Sequence, residues 1–107
     1  MIKKVGVAIL GVGVVGGGTY QTLVNHHDFY LKTQQVDITV EAVLDKSVER
    51  MDALGIPEEC RAKNIHEVVA NPNVDIVVET IGGIGIAKEF VLSALREGKS
   101  VVTSNKE

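Results

Sequence analysis

The chain has 107 residues, of which 45% are hydrophobic and 23% charged, with a formal net charge of −3; it is long enough for one globular domain with a real core. Its scattered basic residues exclude a nucleic-acid or anionic-membrane surface, and its apolar runs are too short to span a bilayer. The N-terminus lacks the pattern of a signal peptide, and the lone Cys60 excludes an internal disulfide framework, in agreement with a cytoplasmic protein.

The apolar segment over about residues 4–10, KVGVAIL, predicts a strand buried on both faces of a parallel sheet. It leads directly into Gly11-Val12-Gly13-Val14-Val15-Gly16, and the spacing becomes helical from about residue 14. In such a run Gly11 allows the tight turn, Gly13 lets the backbone approach a pyrophosphate, and Gly16 lets the helix pack close to the sheet. The helix start adds unpaired N–H groups and a positive dipole end. A purely structural glycine turn is the alternative, but the position between strand and helix favours a dinucleotide site. Tyr20, Leu23, Val24 and Leu31 continue an apolar helical face. His26-His27-Asp28 reads as a solvated helix end, because adjacent helical positions point in different directions.

Residues 32–37 read as a polar connection, and Ile38–Leu44, rich in β-branched residues, as the second strand. Asp45 ends it. Ser47 is expected to cap a short helix that Gly55 terminates, and a weak third strand is expected at Arg61–Lys63. Asn64 with Glu67 resembles a capping box for a helix through Ala70, and Asn71-Pro72-Asn73 a turn. Asp75–Glu79 is the fourth strand, Ile86–Glu97 a helix with the stripe Val91, Leu92 and Leu95, and Ser100–Thr103 the fifth strand. This alternation predicts an α/β, doubly wound parallel sheet of the Rossmann type with five of its usual six strands. Residues 1–107 then form one dinucleotide-binding domain, incomplete at its C-terminal end.

Ligands of such sheets collect outside the carboxyl ends of the strands. Gly11–Gly16, Asp45, Thr80–Gly83 and Ser104–Lys106 all fall there. Asp45 is placed to accept hydrogen bonds from an adenosine ribose and to repel a 2′-phosphate, which favours NAD; Lys46 beside it keeps NADP open. A capping or solvated aspartate is the alternative. Gly82-Gly83 would let the chain pass under the ribose or nicotinamide, or would form a plain turn. Glu79 is either a catalytic carboxylate or the polar end of a buried strand. The Lys106 ammonium is suited to stabilise the oxygen charge that develops in hydride transfer, a solvent-exposed lysine being the alternative. No metal-ligand constellation is visible in the sequence.

Taken together, Gly11-Val12-Gly13-Val14-Val15-Gly16, Asp75-Ile76-Val77-Val78-Glu79-Thr80-Ile81-Gly82-Gly83 and Gly98-Lys99-Ser100-Val101-Val102-Thr103-Ser104-Asn105-Lys106 resemble the N-terminal cofactor domain of homoserine dehydrogenase, over essentially the whole chain. The resemblance implies an NAD- or NADP-dependent oxidoreductase that interconverts L-homoserine and L-aspartate 4-semialdehyde on the route to threonine and methionine. It implies that Gly11, Gly13, Val14, Val15 and Gly16 hold the pyrophosphate, and that Thr80, Gly82 and Gly83 border the nicotinamide ribose. It further implies that Ser104, where the family commonly has alanine, lines the cofactor site, and that Lys106 lies at the catalytic centre beside the cofactor. The full-length form would be a homo-oligomer whose substrate region, with a second catalytic lysine, lies beyond Glu107. This piece alone would then have no useful turnover, since a hydride donor needs a positioned acceptor. The family often carries a basic residue around Asp45, so Asp45 sets NADP preference in doubt. The alternatives are the cofactor domain of another two-domain dehydrogenase, or a nucleotide-sensing module without catalysis.

Overall fold

The strand β1 (Lys3–Leu10) is buried at every residue from Gly6 onwards. Its alternate side chains feed two separate cores. Ala8 and Leu10 pack with Ala42, Val68, Val77 and Ala94 on one face, while Val7 and Ile9 pack with Tyr20, Val43, Met51 and Ile56 on the other. A strand covered on both sides needs apolar residues at successive positions, which is why its sequence shows no alternation. The computed structural model that establishes this describes residues 2–81 and 85–103.

After β1 come α1 (Val14–Asn25), α2 (His27–Gln34), β2 (Val36–Leu44), α3 (Val48–Ala53), a single 3-10 turn at Glu58–Cys60, α4 (Ile65–Ala70), β3 (Ile76–Glu79), α5 (Gly85–Arg96) and β4 (Ser100–Thr103). The strands pair in the order β2-β1-β3-β4, all parallel. The chain therefore leaves β1 to one side and returns to it on the other. The crevice above the carboxyl ends of β1 and β3 is the topological switch point of the sheet.

Three expectations are corrected. The sheet has four strands among the described residues, not five. Arg61–Lys63 contributes only one bridge, Arg61 to Val43, with the Ala62 N–H donating to the Val43 carbonyl at 2.8 Å. Only three residues separate the 3-10 turn from Asn64, the cap of α4, which leaves no length for a ladder. The Arg61 side chain instead turns back, donating to the Ile56 carbonyl at 2.8 and 3.0 Å and pairing with Asp52 at 2.9 Å.

Residues 32–37 are likewise not a simple connection. The first helix breaks at His26, α2 carries the chain to Gln34, and β2 already begins at Val36. Pairing of Lys3 with Val36 draws this polar stretch into the sheet. The amino half of β2 is only partly buried, so Asp37 and Thr39 cost little there. Lastly, α5 is rotated from the expected stripe. Ala87 and Ala94 are fully buried and Phe90 packs against the core that holds Ala94, whereas Leu92 and Leu95 are about half exposed. Alanines let the helix axis approach the sheet more closely than leucines would.

Candidate dinucleotide site

Where β1 ends, Gly11 adopts φ +93°, a left-handed conformation that side chains disfavour. The turn is held from two sides. The Gly11 N–H donates to the Leu44 carbonyl at 2.8 Å, tying it to the end of β2. Just past the end of β3, the Thr80 hydroxyl donates between the Leu10 and Gly11 carbonyls at 3.0 and 2.7 Å, and the Thr80 N–H donates to the Leu10 carbonyl at 2.9 Å. Thr80 is thus a stitch across the switch point, a role its position in the sequence did not reveal.

The next two glycines answer different demands. A Cβ on Gly16 would lie 1.8 Å from the Gly11 carbonyl oxygen and 2.5 Å from the Thr80 hydroxyl oxygen. The protein itself excludes any side chain there. A Cβ on Gly13 would meet nothing nearer than the Arg50 Nη1 at 3.9 Å. Among the described residues, no other atom comes within 4 Å of that position.

Gly13 is also the N-cap of α1, and no side chain caps this helix. The first bond of the helix runs from the Gly17 N–H to the Gly13 carbonyl at 2.8 Å. The N–H groups of Val14, Val15 and Gly16 precede it and have no intrahelical partner. Val14 is 95% exposed and Val15 57%, so the first two residues of this helix are open to solvent, while Gly16 is buried. Bare amides at a positive helix end, facing open space, are an anion receptor suited to a pyrophosphate.

Asp45 stands beside this turn. Its Oδ2 accepts the Val12 N–H at 2.6 Å and its Oδ1 the Ser47 N–H at 2.7 Å. Asp45 therefore links the glycine loop to the start of α3. Each oxygen keeps a further lone pair, so a ribose hydroxyl can still be received. Ser47 caps α3 as expected, its hydroxyl accepting the Arg50 N–H at 3.2 Å. Through this cap Arg50 is carried to the mouth of the glycine loop. The sequence reading missed Arg50; its one signal was a basic residue in the first turn of the helix after β2.

At the end of β3, Glu79 is fully buried. Its carboxylate accepts the Ile81 N–H and the Thr103 hydroxyl, both at 2.6 Å, so it joins the chain just ahead of Gly82 to the last residue of β4. Gly82, Gly83, Ser104 and Lys106 lie outside the described residues. The site thus brings together Gly11, Gly13, Val14, Val15, Gly16, Asp45 and Thr80. A cleft of about 470 Å³ lies at the opposite, amino end of the strands, lined by Asp37, Glu41 and Asp75 among others. Three carboxylates make it a poor receptor for phosphates. At Cys60, burial, then Glu59 and Glu41, push the thiol pKa up, which keeps it a protonated donor to the Val40 carbonyl.

A parallel sheet that turns at a glycine into an uncapped helix, at the switch point of its strand order, defines a dinucleotide-binding domain of the Rossmann type. Comparison with known proteins narrows that class. The family described as "Homoserine dehydrogenase, NAD binding domain" matches residues 11–107. A homoserine dehydrogenase of Bacillus subtilis is 34% identical over 106 residues, which cover 99% of this chain and 24% of that protein. One from Neisseria gonorrhoeae is 39% identical over 106 residues, again 99% of this chain and 24% of the relative. The crystal structure of S. aureus homoserine dehydrogenase at pH 8.5 superposes with a TM-score of 0.88 at 28% identity, covering 100% of this chain and 27% of that one. The chain belongs to the homoserine dehydrogenase NAD-binding domain family, and it spans about a quarter of the length of the curated relatives it matches. Among the described residues, no helix is long and apolar enough to cross a membrane.

Proposed function

We propose that residues 1–107 are the dinucleotide-binding domain of a cytoplasmic homoserine dehydrogenase, which interconverts L-homoserine and L-aspartate 4-semialdehyde on the route to threonine and methionine. The observation that carries this is the bare start of α1 over the open space at Gly13, in a chain of this family. When bound there, a nicotinamide dinucleotide supplies the hydride exchange. The chain's own task is to hold and orient it. The N–H groups of Val14, Val15 and Gly16 receive the pyrophosphate, and Gly11 and Thr80 keep the turn that presents them. Asp45 accepts a ribose hydroxyl and disfavours a 2′-phosphate, so NAD is preferred to NADP. Gly82, Gly83 and Ser104 border the nicotinamide half, and the Lys106 ammonium steadies negative charge on the substrate oxygen. The small-molecule substrate and the homo-oligomer contacts belong to the longer protein. This chain alone turns over no homoserine, for want of a positioned acceptor.

Fluorescence titration of the chain with NADH and NADPH tests the reading, with circular dichroism on the same samples to establish folding. Saturable binding is expected, tighter for NADH. Asp45→Ala is expected to weaken NADH by about tenfold, the worth of one good hydrogen bond, and NADPH less. A folded chain with no saturable binding refutes the cofactor site. Robust homoserine oxidation by these 107 residues would refute the division of labour.

A further inference from the structure

Arg50 projects from the first turn of α3, and its guanidinium comes within 3.9 Å of the position that a Cβ on Gly13 would take. Two acidic side chains near it in sequence bond to groups other than Arg50, and Asp45 keeps a lone pair on each oxygen. Asp45 accepts two backbone N–H groups at 2.6 and 2.7 Å, and Asp52 pairs with Arg61 at 2.9 Å. Among the described residues the Arg50 guanidinium forms no ion pair. Among the described residues, an unpaired cation therefore sits beside the start of α1, at a position where no other atom comes within 4 Å of a Cβ on Gly13.

Resting on the dinucleotide reading above, we propose that Arg50 is a phosphate clamp for the cofactor: its guanidinium closes on the pyrophosphate held at the start of α1. The amides of Val14, Val15 and Gly16 approach that group along the helix axis, and Arg50 approaches it from the α3 side. The planar fork of an arginine matches two phosphate oxygens, and its charge adds to the helix dipole at the same point. The neighbour that locates the guanidinium is Gly13, the N-cap itself, which assigns it to the pyrophosphate rather than to a 2′-phosphate. Asp45 and Ser47 then act as positioning residues. One ties α3 to the glycine loop, and the other caps the helix from which Arg50 projects.

The test is titration of the wild-type chain, Arg50→Gln and Arg50→Lys with ADP, NADH, NADPH and adenosine. Arg50→Gln is expected to weaken ADP, NADH and NADPH by a common factor of about ten, to leave adenosine within about twofold, and to keep the wild-type thermal midpoint. Arg50→Lys should recover part of the loss. The salt dependence of ADP binding should be shallower in Arg50→Gln, as one phosphate contact is gone. Unchanged ADP affinity in Arg50→Gln overturns the clamp, as does a loss confined to NADPH, which would make Arg50 a 2′-phosphate reader. An equal loss for adenosine also overturns it, since that would be a general disturbance of the site. If wild type binds ADP and NADH while Arg50→Gln binds them equally, only the clamp falls. If folded wild type binds neither, the dinucleotide reading falls with it.

Discussion

Two kinds of helix start occur in this molecule. The helices α3 and α4 are closed by side chains: the Ser47 hydroxyl accepts the Arg50 N–H at 3.2 Å, and the Asn64 carbonyl accepts the Glu67 N–H at 3.0 Å. Glu67 also reaches back to the Lys63 N–H at 3.3 Å, one residue ahead of the place a capping box would use. By contrast, α1 begins at a glycine and satisfies none of its first amides through a side chain. A capped start spends its amides on stability. An uncapped start at the switch point keeps them for a ligand, and the fold must hold that end by other means: Thr80 and Gly16 packing on one side, Asp45 on the other.

Substitutions at Gly13, the N-cap of α1, and at Gly16 within it separate these roles most sharply. Gly16→Ala forces a methyl group into the backbone carbonyl of Gly11, which cannot move without loosening the Thr80 stitch. A loss of about 3 kcal/mol in urea-unfolding stability is expected. A loss below about 0.5 kcal/mol would mean that α1 is not seated tightly on the turn. In Gly13→Val the added Cβ meets, among the described residues, only the movable tip of Arg50, so the expected stability change is within about 1 kcal/mol, while NADH affinity falls at least tenfold. Unaltered NADH binding by this variant would contradict the open space as a cofactor space. The capped helix gives the opposite pattern: Asn64→Ala should cost about 1 kcal/mol and leave NADH affinity unchanged.

The smallest expected effect is at His27, between α2 and β2. The His27 Nε2 pairs with Asp37 at 2.7 Å, tying α2 to β2, and its Nδ1 lies 3.4 Å from Asp28. Its pKa is raised, chiefly by the Asp37 bond, then by the Asp28 bond, against a smaller opposing effect of burial. A value raised in the folded state stabilises the fold fully below the unfolded imidazole value of about 6.5, and the gain disappears as pH climbs through the folded value. Thermal midpoints should therefore fall modestly from slightly acid to slightly alkaline pH, and His27→Gln should flatten this slope. An identical slope in the variant would place the titration elsewhere.

The glycine loop, the caps Ser47 and Asn64 and the run of β1 were all legible because each is a local pattern. A Gly-Val-Gly turn, a polar residue three positions ahead of a free amide and an unbroken apolar strand act over a few residues. The misreadings share another cause. Arg61–Lys63, expected as a weak strand, carries no β-branched or aromatic residue and is hemmed in by a turn and a cap, and Leu92 and Leu95 look like a core stripe although Ala87 and Ala94 are buried instead.

The amino-acid sequence by itself determined the alternation of strands and helices and the backbone freedom at Gly11, Gly13 and Gly16, since these follow from side-chain spacing and the absence of a Cβ. Tertiary structure alone decided that Thr80 would reach Gly11 across 69 residues, that Asp45 would hold Val12 across 33, and that Arg50 would stand beside Gly13. Those contacts depend on the lateral order of four parallel strands, and that order is set by how two cores fill the faces of one sheet rather than by any neighbouring residues.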